Sequence, residues 1–187
     1  MIIKSYQVQN NKFNFLKCNF FLFYGENLGL KKDIRKIVKA EINQKNNNVE
    51  NLFLYENEIL DNEENFYNLI YGGSLFSEKK IITIYNATDK ISEKINAIFE
   101  KYPENTYIII FSEILEKKSK LRIFFEKNKK AICIPCYLDN EKDLAVIARL
   151  ELKKYNIILS QEIINLLIEK SNSDRNNLRN EINKIYS

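Results

Sequence analysis

Histidine and tryptophan are absent from this chain of 187 residues. Without histidine there is no Ser-His-Asp or Cys-His nucleophile system and no histidine-ligated metal site. Cysteine is scarce, with only Cys18, Cys133 and Cys136. An odd number of thiols with no secretory signal points to a reducing cytoplasm. Residues Met1 to Tyr6 show no charged segment leading into a long apolar stretch, so no signal peptide is expected. No apolar run is long enough to span a bilayer, and no membrane partner is expected.

What is present is the make-up of a soluble globular protein, 45% hydrophobic and 29% charged. The length suits one sizeable domain, or a domain with a small appendage. The net charge of +4 is mild. It permits contact with nucleic acid without demanding it. Lysine, asparagine and isoleucine dominate. An A+T-rich genome would give the same bias, so the lysine content carries little weight as a sign of binding.

Along the chain, strand and helix patterns alternate. Asn19 to Tyr24 is a nearly continuous apolar run, followed by Gly25, Gly29 and a helical pattern of Ile34, Ile37, Val38 and Ile42. Residues 43–48 form a polar loop. Val49 to Tyr55 is a second strand candidate, and Glu63 to Tyr71 a helix bearing Phe66, Leu69 and Ile70. Ile81 to Tyr85 is rich in β-branched residues, as strands are. Thr88 or Asp89 can cap a helix carrying Ile91, Ile95, Ile98 and Phe99. Tyr107 to Phe111 is apolar on both faces, as in a parallel sheet covered on both sides. Leu121, Phe124 and Phe125 mark a further helix, and Ala131 to Ile134 a last strand closed by Pro135. Beyond residue 138 only helices are predicted. Asp139 or Asn140 caps the first, Ser160 the second and Ser173 the third. The expected fold is an α/β wound parallel sheet flanked by helices over 1–138, followed by a small three-helix domain over 139–187.

A strand running into Gly25 and a helix invites a phosphate-loop reading. That motif needs G-x-x-x-x-G-K-[ST], whose backbone N–H groups wrap phosphate while Lys and a hydroxyl complete the site. Here Gly25 and Gly29 stand one residue too close. Leu30 and Lys31 do not supply the Gly-Lys pair, and Lys32 replaces the magnesium-binding hydroxyl. Glu26 adds negative charge. The strands ending at Asn86 and Ser112 offer no magnesium-positioning acid. Gly25, Gly29 and Lys31 therefore read as a degenerate loop that does not bind ATP, with no metal and no cofactor. Cys133-Ile134-Pro135-Cys136 is a C-x-x-C sequence. A redox pair would sit at a helix N-terminus, and zinc would need further ligands. Structural cysteines filling small apolar gaps fit better.

Lys117, Lys118, Lys120 and Arg122 form a basic cluster. Its plain reading is a solvated helix face; its sharper one is contact with nucleic-acid phosphates. No aromatic residues alternate with these cations as in a stacking platform. In Tyr71-Gly72-Gly73-Ser74-Leu75-Phe76, two glycines end a helix through the left-handed cap that glycine adopts without penalty. Leu75 and Phe76 follow where a polar turn is expected. Most such residues are buried. Yet the glycines place them at the domain edge, where a few apolar anchors could enter a partner's pocket. The pattern leaves both readings open.

Several segments together resemble the delta subunit family of the bacterial DNA polymerase III clamp loader. Phe21 to Asn27 is similar to its opening strand and degenerate loop. Ser74 to Ile82 is similar to its Ser-Leu-Phe wedge running into a strand. Ile114 to Leu121 is similar to its basic helix start, and Leu178 to Ile185 to the end of its second domain. The resemblance implies an AAA+-like first domain without ATPase activity and a helical lid. It implies that Ser74, Leu75 and Phe76 bind the sliding clamp, with Leu75 and Phe76 entering a hydrophobic pocket and helping to open the ring. ATP would be handled by sister subunits. The implied partners are the clamp, the other loader subunits and, weakly and within the assembled complex, primed DNA. The family's third, collar-forming domain would begin where this chain stops at Ser187. Clamp binding is expected of these residues by themselves. A divergent phosphate-loop NTPase and a basic nucleic-acid-binding module are the alternative readings.

Overall fold

A computed structural model describes residues 1–3, 8, 14–43, 48–73 and 77–186. Five strands form one sheet in the order β2-β3-β4-β1-β5. They are β1 (Phe20–Tyr24), β2 (Val49–Tyr55), β3 (Lys79–Tyr85), β4 (Thr106–Ser112) and β5 (Ala131–Pro135). Every neighbouring pair is parallel. The helices of this part are α1 (Leu28–Ile42), α2 (Glu56–Asp61), α3 (Glu63–Tyr71), α4 (Ser92–Glu100) and α5 (Lys120–Lys127). α6 (Glu141–Lys154), α7 (Gln161–Lys170) and α8 (Arg175–Tyr186) follow the last strand.

The central strands explain why the sheet is covered on both faces. All residues of β1 and β4 are buried. Successive side chains of a strand point to opposite faces. Phe20, Leu22 and Tyr24 join Ile82, Ile84, Ile108 and Ile110 in a core with Phe66, Ile70, Ile95, Ile98, Leu121 and Phe125 from α3, α4 and α5. The alternate residues Phe21 and Phe23 are equally buried, as are Ile34, Val38 and Ile42 of α1. Along the outer edge of β5 the first residues of the chain add a bridge: Ile3 N–H donates to Cys133 O and Cys133 N–H to Met1 O, each at 2.9 Å.

The chain divides into two compact units. One comprises Met1–Glu26 and Lys31–Cys136, the other Asn27–Leu30 and Tyr137–Ser187. The first turn of α1 thus clusters with the helical unit, which local periodicity could not indicate. The helical unit has its own core of Leu144, Ala148, Leu152, Ile164, Leu167, Leu178 and Ile182.

Caps account for most helix starts. Asn140 closes a reciprocal capping box with Asp143 on α6, and Ser160 accepts from Ile163 N–H on α7. α8 differs from the sequence expectation. Asp174, not Ser173, accepts from the N–H groups of Asn176 and Asn177 at 2.8 and 2.9 Å. Ser173 lies one residue too early, in a left-handed turn at φ 56°. Gly72 also differs. It ends α3 with φ −64° and ψ 138°, an extended conformation rather than a left-handed one. Glycine is needed there for space, since a Cβ would lie 2.5 Å from Asn68 O.

Candidate functional site

The connection after β1 is shaped by the neighbouring backbone. Gly25 has φ +122°, and a Cβ on it would lie 2.3 Å from Cys136 O. Its N–H donates to Glu113 O at 3.0 Å, and Cys136 N–H donates to Tyr24 O at 2.6 Å. Glycine is therefore fixed here by the close approach of the chain leaving β5. Lys31 is buried. Its ammonium donates to Gly25 O at 2.7 Å and Ser112 O at 2.8 Å, both carbonyls at the carboxyl ends of strands. Burial lowers its pKa, against the opposing fields of Cys136, Glu113 and Glu26. Such an amine inside the fold is held by paired carbonyls, as a buried charge requires.

The first turn of α1 is filled by side chains of the helical unit. Asn27 accepts from Leu30 N–H at 2.8 Å, capping the helix. Its amide donates to Tyr137 O at 3.1 Å and to Asp139 Oδ2 at 2.8 Å. Asp139 pairs with Arg175, whose Nε donates to Oδ2 at 2.8 Å while Nη2 meets Oδ1. Only 2% of the Arg175 side chain is exposed, and 6% of the Asp139 side chain. A Cβ on Gly29 would lie 2.4 Å from Arg175 Cγ. An internal carboxylate, guanidinium and amide thus stand beside the helix end where a phosphate loop would hold an anion. Sequence inspection misses this network, because its members are far apart in the chain. An arginine directly after the Asp174 cap is the one local hint.

Ser74, Leu75 and Phe76 lie outside the described residues. Both flanks are described. α3 ends at the exposed Tyr71, whose ring stacks with Tyr67 at 6.3 Å. Lys80 is buried near the start of β3. Its ammonium donates to Leu69 O and Gly72 O, each at 2.6 Å. Its N–H donates to Asn105 O at 2.9 Å. A cation on the last carbonyls of a helix satisfies orphan acceptors and suits the dipole. The chain that leaves α3 is thereby tied back to the strand that receives it.

The four cations of the basic cluster do not share one environment. Lys117, Lys118 and Lys120 are exposed. Lys118 pairs with Glu116 at 3.0 Å. Arg122 donates to Glu126 at 2.8 Å and to Leu115 O at 2.9 Å, and its guanidinium lies 4.8 Å from the Tyr24 ring centroid. It packs into the domain, unlike the lysines. Asp89 accepts from Ser119 Oγ at 2.6 Å and Leu121 N–H at 3.0 Å, capping α5. Burial raises the Asp89 pKa, but the Ser119 and backbone bonds outweigh it, so the carboxyl titrates below its ordinary value. All three cysteines are buried thiols. Burial, with a contribution from Glu126, pushes the Cys133 thiol up to about 12. No group of acidic or thiol side chains suited to a metal occurs among the described residues. No helix among them is long and apolar enough to cross a membrane.

A five-stranded parallel sheet flanked by helices, with a helical region after it, defines an AAA+-like fold. Solved structures agree. A variant of Thermotoga maritima RuvB superposes with a TM-score of 0.60 at 12% identity, over 97% of this chain and 59% of that one. Domain III of the Thermotoga maritima replication initiation protein DnaA gives 0.55 at 15% identity, over 95% and 78%. The Bacillus subtilis DNA clamp loader delta protein (YqeN) gives 0.62 at 16% identity, over 96% of this chain. This chain spans 56% of that protein's length. The family described as DNA polymerase III, delta subunit, matches residues 21–137, and the chain belongs to it. No curated protein sequence matches.

Proposed function

We propose that the protein is a non-hydrolysing clamp-loader subunit that binds the sliding clamp through Ser74, Leu75 and Phe76 and helps to open the ring for loading onto primed DNA. The observation that carries this reading is the delta-family match across residues 21–137, which contains the Ser-Leu-Phe segment. The Lys80 tie supports it by fixing the segment's flanks. Two apolar residues in one connection suit a partner's pocket, where a few buried side chains dominate binding.

The degenerate loop serves structure in this reading. Lys31 is held by carbonyls, and the α1 end is occupied by Asn27, Asp139 and Arg175. The subunit works by pushing on the clamp, while other loader subunits handle ATP. Lys117, Lys118 and Lys120 remain candidates for phosphate contact in the assembled complex. Arg122 serves that role least, given its internal bonds. Clamp loading takes place on DNA, so the working compartment is the cytoplasm.

The test is surface plasmon resonance with the same organism's sliding clamp. Leu75→Ala with Phe76→Ala should abolish binding while the circular dichroism spectrum and melting midpoint stay unchanged. Unaltered binding by this folded double variant would refute the wedge. Calorimetric titration with Mg-ATP should give no heat. Measurable binding there would favour the divergent NTPase instead.

A further inference from the structure

We infer that the rim of β2, together with the facing stripe of α1, is a binding surface for single-stranded nucleic acid, distinct from the Lys117–Arg122 cluster and independent of clamp binding. β2 is the edge strand of the sheet. Phe53 and Tyr55 stand two residues apart, so they share one face. They are 53% and 51% exposed, unusual for aromatic rings on a strand. Tyr85, in register with Tyr55 on β3, joins them. Its ring lies 6.3 Å from that of Phe53, nearly parallel at 27°, and 5.6 Å from that of Tyr55. On its inner side Tyr85 meets Phe111 edge-on at 5.2 Å. The outer rings are thus backed by the core and held without being covered.

Cations line this aromatic rim. Arg35 bonds Thr83 Oγ1 at 3.0 Å, and its guanidinium lies 5.0 Å from the Phe53 ring centroid. Lys32, Arg35, Lys36 and Lys39 recur at the spacing of one helix face. Lys32 and Lys36 are exposed. Among the described residues, Lys32, Lys36 and Lys39 take part in no ion pair. Two acids stand at the strand's end. Glu56 accepts from Thr88 N–H at 2.6 Å, and Glu58 accepts from Tyr55 N–H at 2.6 Å. Lys32, Arg35, Lys36 and Lys39 outnumber Glu56, Glu58 and the neighbouring Asp33.

Exposed rings beside unpaired cations match one ligand chemistry. Unstacked bases offer flat faces for the rings, and the phosphates that link them offer charge for the lysines. A duplex keeps its bases stacked inside and would use the lysines alone. The Lys117–Lys118–Lys120 cluster lacks this pairing, since the ring that Arg122 meets there, Tyr24, is buried.

The experiment is fluorescence anisotropy with the full chain and labelled oligo-dT of about 16 nucleotides. It is run at about 50 mM and about 200 mM salt. Wild type should bind at the lower salt and prefer the single strand to a duplex of equal length. Phe53→Ala with Tyr55→Ala should weaken binding at least about tenfold. Lys32→Gln, Lys36→Gln and Lys39→Gln together should flatten the salt dependence. Lys129→Gln with Lys130→Gln, exposed residues ahead of β5, should leave the single-strand affinity within about twofold. Each variant is first shown to keep the wild-type melting midpoint. With no tryptophan in the chain, quenching of tyrosine emission by oligo-dT gives a second readout, which Tyr55→Phe should reduce without loss of affinity. No binding by wild type, equal affinity for the duplex, or unchanged affinity without the two rings would each overturn the inference. Loss of clamp binding in the ring variant, with oligonucleotide binding intact, would assign this face to a protein and overturn it too.

Discussion

Arg175→Met isolates the internal ion pair beside the degenerate loop. Methionine keeps the aliphatic part of the side chain that packs on Gly29, where a Cβ would lie 2.4 Å from Arg175 Cγ. What is removed is the fork that holds Asp139 through Nε at 2.8 Å and through Nη2. Asp139 would then keep the Asn27 amide at 2.8 Å as its remaining bond in this network. Removing one partner of a buried pair leaves an uncompensated charge, at a cost of about 3–5 kcal/mol. A domain has only about 5–15 kcal/mol of stability, so the loss is large. With a urea slope of about 2 kcal/mol/M, the unfolding midpoint of the helical unit should fall by roughly 2 M. Asp139→Asn alone should also destabilise, because the guanidinium then lacks its anion. The double variant should cost less than the two singles added, with a coupling of about 1–3 kcal/mol. Urea titration followed by circular dichroism measures all three. A cost below about 1 kcal/mol for Arg175→Met, or strict additivity, would mean that solvent reaches this pair and that the network does not fill the helix end.

Other consequences are as direct. Lys80→Met should lower stability by about 2 kcal/mol, since Leu69 O and Gly72 O lose a charged donor. It should also weaken clamp binding with Leu75 and Phe76 intact, and Lys80→Arg should restore both; wild-type clamp affinity in a folded Lys80→Met protein would sever the tie from the wedge. Gly25→Ala should cost more than about 1 kcal/mol, because alanine meets Cys136 O and disfavours positive φ; a melting midpoint equal to wild type would count against that geometry. Cys133 stays protonated in the fold up to about 12, from a starting value of 9.0. The unfolded chain ionises first, so its share of stability is complete below about pH 9 and falls as pH rises, by about 1.4 kcal/mol per unit, until the folded thiol titrates. Urea midpoints measured across that range should slope downward, and Cys133→Ser should flatten the slope.

The strands are the most readable part of the fold. Phe20–Tyr24 and Tyr107–Phe111 are apolar on both faces because helices cover both sides, and an unbroken apolar run announces that burial. β3 shows where the reading stops. Its apolar run starts at Ile81, yet the strand begins at Lys79. Lys80 is buried to serve carbonyls on α3, and a local pattern cannot distinguish such a lysine from a solvated one. α2 leaves no periodic signal because it is short and buries only Glu56 and Ile59. The end of α3 is legible in its paired glycines, although Gly72 is there for space and not for a left-handed turn. Spacing alone singles out Gly25, Gly29 and Lys31. What each one touches depends on Cys136, Arg175 and Ser112, and no local pattern links those positions. The aromatic rim is hidden for the same reason, since Phe53 and Arg35 meet only through the fold.

The sheet order also sets a timetable for synthesis. β1 lies between β4 and β5, with Phe20 opposite Ile108 on one side and Ala131 on the other. The most apolar strand is therefore made early and acquires its neighbours late. At about 5–20 residues per second, the ribosome needs several seconds or more to deliver them. Until then Phe20 to Tyr24 emerges with both edges open, a ready template for pairing with another chain. The nascent chain's greatest exposure to aggregation thus falls before residue 135 leaves the ribosome, and destabilising β4 or β5 would lengthen it.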